Sequence, residues 1–295
     1  MEETVLNTGL TSTRRTFCKH LGAAAATTFF LGANTLSAHA DSHRDARFGH
    51  SSGAGINVLL VHGAWVDASS WMLVIPLLQA QGYNVLAVQN PLSSLDGDVT
   101  VTRQALASFS GPTIVAGHSY GGAVITNAGT GAPNLHSLVY IAAVAPEEGE
   151  SVMGIAERFP TPPITAHVVP SYRQGYTWVD PAFFPQDFAQ DIDVAKARAL
   201  AVVQKPITPA CFMAKSGPPA WKTVPSWYLV SGNDRAINVD SERFMAKRIG
   251  ATTRQIASSH ASPLSHPRAV FEIIVAAAQG AHRHQVKPSD KRAGV

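Results

Sequence analysis

The chain has 295 residues, 45% of them hydrophobic and 15% charged, with a formal net charge of +3. That is enough apolar material for one large core, since α/β folds run to about 250 residues as a single unit. So small a charge, with no basic stripe outside the first residues, excludes nucleic-acid binding as the main activity.

At the start, Thr13-Arg14-Arg15-Thr16-Phe17-Cys18-Lys19 resembles the twin-arginine export motif. A weakly apolar stretch over residues 21–33 follows, too short for a bilayer span of about 20 residues. Ala38-His39-Ala40 then supplies an A-x-A cleavage pattern. Together they predict a signal peptide over residues 1–40, cleavage after Ala40, and a folded enzyme exported to the periplasm or beyond. The competing reading is a frayed amphipathic N-terminus. Cys18 leaves with the signal and Cys211 is then alone, so no internal disulfide is expected.

Residues 41–55 are polar and carry glycine and serine, as a linker does. Residues 56–61 (INVLLV) are a short β-branched run that ends at His62-Gly63, which predicts a buried strand. Helical spacing over residues 71–80 stops at Gly82. Strands are expected at residues 84–88, 112–116, 137–142, 226–230 and 253–257, and helices at 99–109, 122–129, 239–249 and 267–278. Strands alternating with helices, each strand read as buried on both faces, indicate a doubly wound, mostly parallel α/β sheet. Residues 147–225 break the rhythm with prolines and aromatics and read as an inserted cap, helical over 187–203. The core domain spans 56–280. The tail, 281–295, is polar and expected to be disordered, with His282 and His284 solvated in it.

Within this frame, residues 114–124 (IVAGHSYGGAV) set one serine in a glycine-rich turn between a strand and a helix. Gly-x-Ser-x-Gly recurs by chance, so its setting gives it meaning. A chain reversing sharply there strains the serine backbone, and Gly117 and Gly121 remove side chains that would clash. Ser119 is thereby exposed at the strand's carboxyl end, ahead of a helix N-terminus. A serine hydroxyl needs a base held in place. Asp234 follows the strand at 226–230, and His260 follows the one at 253–257, so both reach the rim that carries Ser119. His260 is the expected base and Asp234 the group that fixes its tautomer. His266 competes as base, and Glu147 or Glu148 as acid. His118, Asp191, Asp193 and Asp240 are read as structural or surface residues. Oxyanion donors are expected from the N–H groups of Tyr120 and Ala64, with His62 orienting the loop and Gly63 allowing close approach.

Four segments carry a family resemblance: VHGAW (61–65), GHSYGG (117–122), SGNDRAI (231–237) and SSHASPLSHP (258–267). On these the chain resembles the α/β-hydrolase superfamily, in particular the small serine esterase branch with plant methylesterases and hydroxynitrile lyases. The resemblance implies an eight-stranded type of sheet, a helical cap between the sixth and seventh strands, and a cofactor-free Ser-His-Asp mechanism without a metal. Lyase members have a threonine where this chain has Gly63 and a lysine where it has Ala261; both departures favour hydrolysis. The expected activity is therefore hydrolysis of small carboxylic esters through an acyl-enzyme. The alternatives are a cofactor-free lyase or oxygenase, or a small-ligand binder without turnover. No stable membrane span is expected, and the sequence leaves the oligomeric state open.

Overall fold

The computed structural model describes Gly53 and residues 55–285. The expected signal peptide, nearly all of the linker and residues 286–295 lie outside the described residues. The sheet is built from β1 (Asn57–Val61), β2 (Asn84–Val88), β3 (Thr113–His118) and β4 (Leu135–Ile141), then β7 (Ser226–Ser231) and β8 (Thr252–Ile256). Between β4 and β7, a separate hairpin pairs β5 (Val168–Pro170) with β6 (Thr177–Val179). The main order is β2-β1-β3-β4-β7-β8, every neighbour parallel.

Alternate strand residues feed two cores. Leu59, Val61, Val115, Leu138, Tyr140, Tyr228 and Val230 face one side. There they pack with α2 (Leu95–Ala107), α3 (Gly121–Ala128) and α8 (Val239–Arg248). Val58, Leu60, Ile114, Ala116, Val139, Ile141 and Leu229 face the other side, against α1 (Ile75–Ala80) and α10 (Pro267–Gln285). Period-two side-chain alternation with helices on both faces makes this a doubly wound α/β sheet. Only the central strands are buried throughout. β2 and β8 lie at the edges and expose much of their length, which is why β8 tolerates the polar run TTRQI.

The structure departs from expectation in instructive ways. Six strands rather than eight form the sheet among the described residues, and the insertion falls between the fourth and fifth of them. The helix expected over 71–80 begins at Ile75, after a 3-10 turn at Ala68–Trp71 capped by Asp67. Pro76 lacks an N–H and fits only a first helical turn, so the helix starts there. Conversely, α2 begins at Leu95 because Ser94 accepts the Gly97 N–H as an N-cap, with Asp96 and Asp98 in its first turn. The insertion has α4 (Val152–Ala156), α5 (Phe184–Asp187), α6 (Val194–Val202) and α7 (Pro209–Met213) beside its hairpin. Its expected single helix over 187–203 is split, since Asp193 caps a new start by accepting the Lys196 N–H. α10 follows the short α9 (Ser262–Ser265) and runs to Gln285, into the segment read as tail.

Chain order reverses direction between β1 and β3, because β2 lies on one side of β1 and β3 on the other. Crevices at the carboxyl ends of such a switch point are where ligands bind in open α/β sheets. What holds that crevice open is close backbone packing: a Cβ on Gly121 would sit 2.6 Å from the Val61 carbonyl oxygen and 2.7 Å from that of His62. Gly121→Ala must therefore push α3 away from β1. The expected outcome is a loss of about 2 kcal/mol, read in thermal melts as a Tm lower by roughly 4–8 °C.

Candidate active site

Ser119 occupies the first position after β3 with φ of +56°. A non-glycine residue there is strained and persists only where the surroundings fix it. Three backbone bonds do so: the Ser119 N–H donates to Ile141 O at 3.1 Å, and Ser119 O accepts from Gly122 at 2.9 Å and Val144 at 3.1 Å. A Cβ on Gly63 would lie 2.6 Å from Ser119 Cβ. The absence of a side chain at 63 is thus what admits the serine.

The hydroxyl of Ser119 lies 2.8 Å from His260 Nε2. On the ring's other side, His260 Nδ1 lies 2.5 Å from Asp234 Oδ2. With Nδ1 donating to the carboxylate, Nε2 presents its lone pair to the serine O–H. All three are buried. Asp234 Oδ1 accepts the N–H groups of Ala236 at 2.6 Å and Ile237 at 2.8 Å, so its carboxylate is oriented by its own loop. The loops bearing Asp234 and His260 are joined by Asn233 N–H to Ser258 O at 3.0 Å and Ser258 Oγ to Ser231 Oγ at 2.9 Å. The residues singled out in the sequence as nucleophile, base and acid are therefore brought into one chain of hydrogen bonds. Such a chain can move a proton off the serine as its oxygen attacks an electrophile.

Two further histidines flank it and stay neutral. His62 is enclosed, its Nδ1–H directed at Gly63 O at 2.9 Å and its Nε2 accepting the Asn90 N–H at 3.0 Å. Burial above all, with the charge of Lys205 adding to it, brings its pKa down from 6.5 to about 4. It orients the loop of Gly63 and Ala64, as expected. His118 is buried too, and its Nε2–H donates to the His260 carbonyl at 2.8 Å. Burial and the neighbouring His260 drive its pKa well below the usual value. The role of His118 is to hold the backbone of His260 in place.

Ala64 and Tyr120 line the cavity of about 90 Å³ that opens onto Ser119 and His260. Neither N–H donates to a backbone carbonyl among the described residues. Trp65, next to Ala64, has φ of +61°, which fixes a sharp turn in that loop. Around the cavity stand Val144, Val152, Ile155, Phe212 and Ile237, an apolar lining with Asn238 and Ser241 at one side. The insertion contributes Phe212, 5.9 Å from the Tyr120 ring, and Phe188, edge-on to His260 at 4.8 Å.

The competing residues lie elsewhere. His266 pairs with Asp191 at 3.5 Å and Ser265 at 2.9 Å. Asp191 also accepts the Ser259 N–H at 2.7 Å, which supports the His260 loop from outside. Glu147 pairs with Lys222. Asp240 pairs with Arg243 at 2.8 Å on the surface. Among the described residues no cluster of three or more His, Cys, Asp or Glu side chains is placed to hold a metal ion. No described helix is long and apolar enough to cross a membrane.

Sequence reasoning passed over two buried acids. Asp98 accepts the Tyr120 hydroxyl at 2.8 Å and the Leu92 N–H at 2.8 Å, anchoring the residue after Ser119. Glu242 lies on α8 beside the Asp234 loop. A signal for each was present: Asp98 shares a helical face with Leu95, Val99, Thr102 and Leu106, and Glu242 with Met245 and Ala246. A lone acid on an apolar stripe marks a buried carboxyl.

The model described as "Alpha/beta hydrolase family" matches residues 58–273. The chain belongs to that family. Among curated proteins, this hydrolase-family chain is 31% identical over 126 residues to a carbendazim hydrolyzing esterase of Nocardioides sp.. That match covers 38% of the chain and 52% of the relative, so it spans about half of that esterase. Similarity to Methylesterase 8 of Arabidopsis thaliana is 23% over 205 residues, covering 63% of this chain and 75% of the relative. Of solved structures, polyneuridine aldehyde esterase superposes with a TM-score of 0.66 at 19% identity, covering 75% of this chain and 98% of that one. A pyrethroid hydrolase from Sphingobium faniae gives 0.63 at 20% identity, covering 77% and 98%. The resemblance read from the four motifs is borne out in family and fold.

The buried neutral histidines also give the fold a pH limit. Each has a folded pKa below its unfolded value, so the unfolded chain takes up protons first as pH falls. Stability from neutral burial is whole above pH 6.5 and is lost as pH drops toward about 4 for His62. For His62 alone the loss is about 3 kcal/mol over that window. Thermal melts from pH 8 to 4.5 are expected to show Tm falling below pH 6.5. His62→Gln, which cannot take up a proton, should show a shallower fall.

Proposed function

We propose that this chain is an exported serine hydrolase that cleaves small carboxylic esters through an acyl-enzyme on Ser119. The observation that carries the reading is the hydrogen-bond chain from Ser119 through His260 to Asp234, at 2.8 and 2.5 Å. Ser119 Oγ attacks the ester carbonyl carbon while its proton passes to His260 Nε2. Asp234 holds Nδ1–H and stabilises the imidazolium that forms. The N–H groups of Ala64 and Tyr120 receive the developing oxyanion. Collapse of the tetrahedral adduct expels the alcohol, which takes the proton from His260. Water then attacks the acyl-enzyme with His260 as base, releases the acid and restores Ser119.

Several observations favour hydrolysis over a lyase step on the same scaffold. A threonine at position 63 has no room, because even a Cβ there meets Ser119 Cβ at 2.6 Å. Ala261 follows His260 and is buried, and its N–H donates to Phe188 O at 3.1 Å. No lysine stands there to stabilise a departing anion. The relatives' names (esterase, methylesterase, hydrolase) point the same way. The apolar lining of the cavity supports an uncharged acyl or alcohol portion.

Ser119→Ala should lower kcat on p-nitrophenyl esters by about 10⁴-fold or more, since residues of such a triad act as a unit. A fluorophosphonate probe should label the wild-type serine and leave that variant unmodified. Undiminished ester hydrolysis by the alanine variant would sink the reading. Export has its own test in the full chain. With Arg14→Lys and Arg15→Lys together, the protein is expected to stay in the cytoplasmic fraction, whereas the native sequence reaches the exported one.

A further inference from the structure

Glu242 sits in the first half of α8 with no exposure to solvent. Its Oε2 accepts the Ser231 N–H at 3.1 Å, and its Oε1 has no hydrogen-bond partner among the described residues. Ser231 links it to the acid loop: its N–H donates to Glu242 and its carbonyl accepts the Asp234 N–H at 3.1 Å, so the two carboxyls are neighbours across one residue. Asp234 already receives the N–H groups of Ala236 and Ile237 on Oδ1 and His260 Nδ1 on Oδ2. A carboxylate has about four lone-pair sites, so one acceptor position remains.

Two ionised carboxyls side by side in a buried site repel strongly, and one of them keeps its proton. Asp234 has donors around it and Glu242 has one, so the proton belongs on Glu242. Burial first, and the charge of Asp234 second, raise the Glu242 carboxyl well above the usual range. The other groups facing it do not reverse this. Arg243 offsets only weakly and is occupied at the surface by Asp240 and Gln255. From β7, Tyr228 turns its hydroxyl to Ala143 O. His260 stands beyond Asp234.

We propose that Glu242 is a positioning residue whose Oε1–H donates to the Asp234 carboxylate, so that the acid behind His260 is a carboxylic acid–carboxylate pair. The inference rests on the triad reading above and deepens it. It gives the unpartnered Oε1 a role and fills the last acceptor site of Asp234. α8 is thereby tied into the geometry of the base.

The test compares Glu242→Gln and Glu242→Leu in full-length enzyme, by pH profiles of kcat/KM and by thermal melts. Gln is isosteric with a protonated Glu and keeps both a donor and an acceptor. Leu removes the donor, leaving Asp234 a stronger partner for the His260 imidazolium. The expected result is a kcat about tenfold or more below wild type for Leu, with KM little changed. Its acid limb should move to higher pH. Gln should restore most of the lost kcat and keep the acid limb in place. An acid limb displaced to lower pH in either variant would mean that Glu242 is ionised and overturn the proposal. An unmoved limb and kcat in folded Leu variant would overturn it too. If Leu does not fold, Gln alone decides by the position of its limb. Ser119→Ala, run alongside, separates the two readings. Activity that survives it defeats the triad itself, while loss of activity there with indifferent Glu242 variants defeats only the positioning role.

Discussion

The site depends on how closely two backbone segments approach. The end of β1 and the turn from β3 into α3 pack so tightly that Gly63 and Gly121 have no room for a Cβ, and the turn itself leaves none at Gly117. That approach holds Ser119 in its left-handed conformation and sets the Ala64 loop beside it. Strain of this kind costs of order 1–3 kcal/mol. It is sustained here by the Ile141, Gly122 and Val144 hydrogen bonds and by a core that packs against both sides of the sheet.

Around this turn, burial keeps two histidines uncharged. His62 and His118 are buried and neutral; His62 bonds backbone groups through both ring nitrogens and His118 through Nε2. They act as struts, one for the loop of Ala64 and one for the loop of His260. Asp98 and Glu242 are buried carboxyls that sit behind Tyr120 and Asp234. Burial raises both. Asp234 and His260 are buried among these groups, a medium in which electrostatic interactions are stronger than in water.

The insertion completes the site by packing. Phe188 meets the rings of both His118 and His260, and Phe212 meets Trp65 and Tyr120. A second anchor ties the insertion to the acid loop: Asp187 is buried, paired to Arg235 at 3.2 Å and to His167 at 2.6 Å. The insertion is therefore fastened beside Asp234, with Phe212 lining the cavity and Phe188 packed behind His260.

The sequence by itself determined the sheet and singled out the three residues that the fold brings into one hydrogen-bond chain. Apolar runs of strand length with intervening helices specified a parallel α/β core, and a serine, an acid and a histidine each stood just past a strand end. Those signals are local, because burial on both faces and a sharp turn impose composition on consecutive residues. Only the tertiary structure decided what lies behind them. The apolar stripes around Asp98 and Glu242 hint at burial, but their partners are set only when α2 and α8 dock, and Pro76, Ser94 and Asp193 moved helix boundaries that hydrophobic spacing alone had misplaced. The packing of Phe188 and Phe212 follows from long-range contacts through an insertion with no regular period. A buried carboxyl is defined by which groups surround it, and that is fixed by segments far apart in the chain.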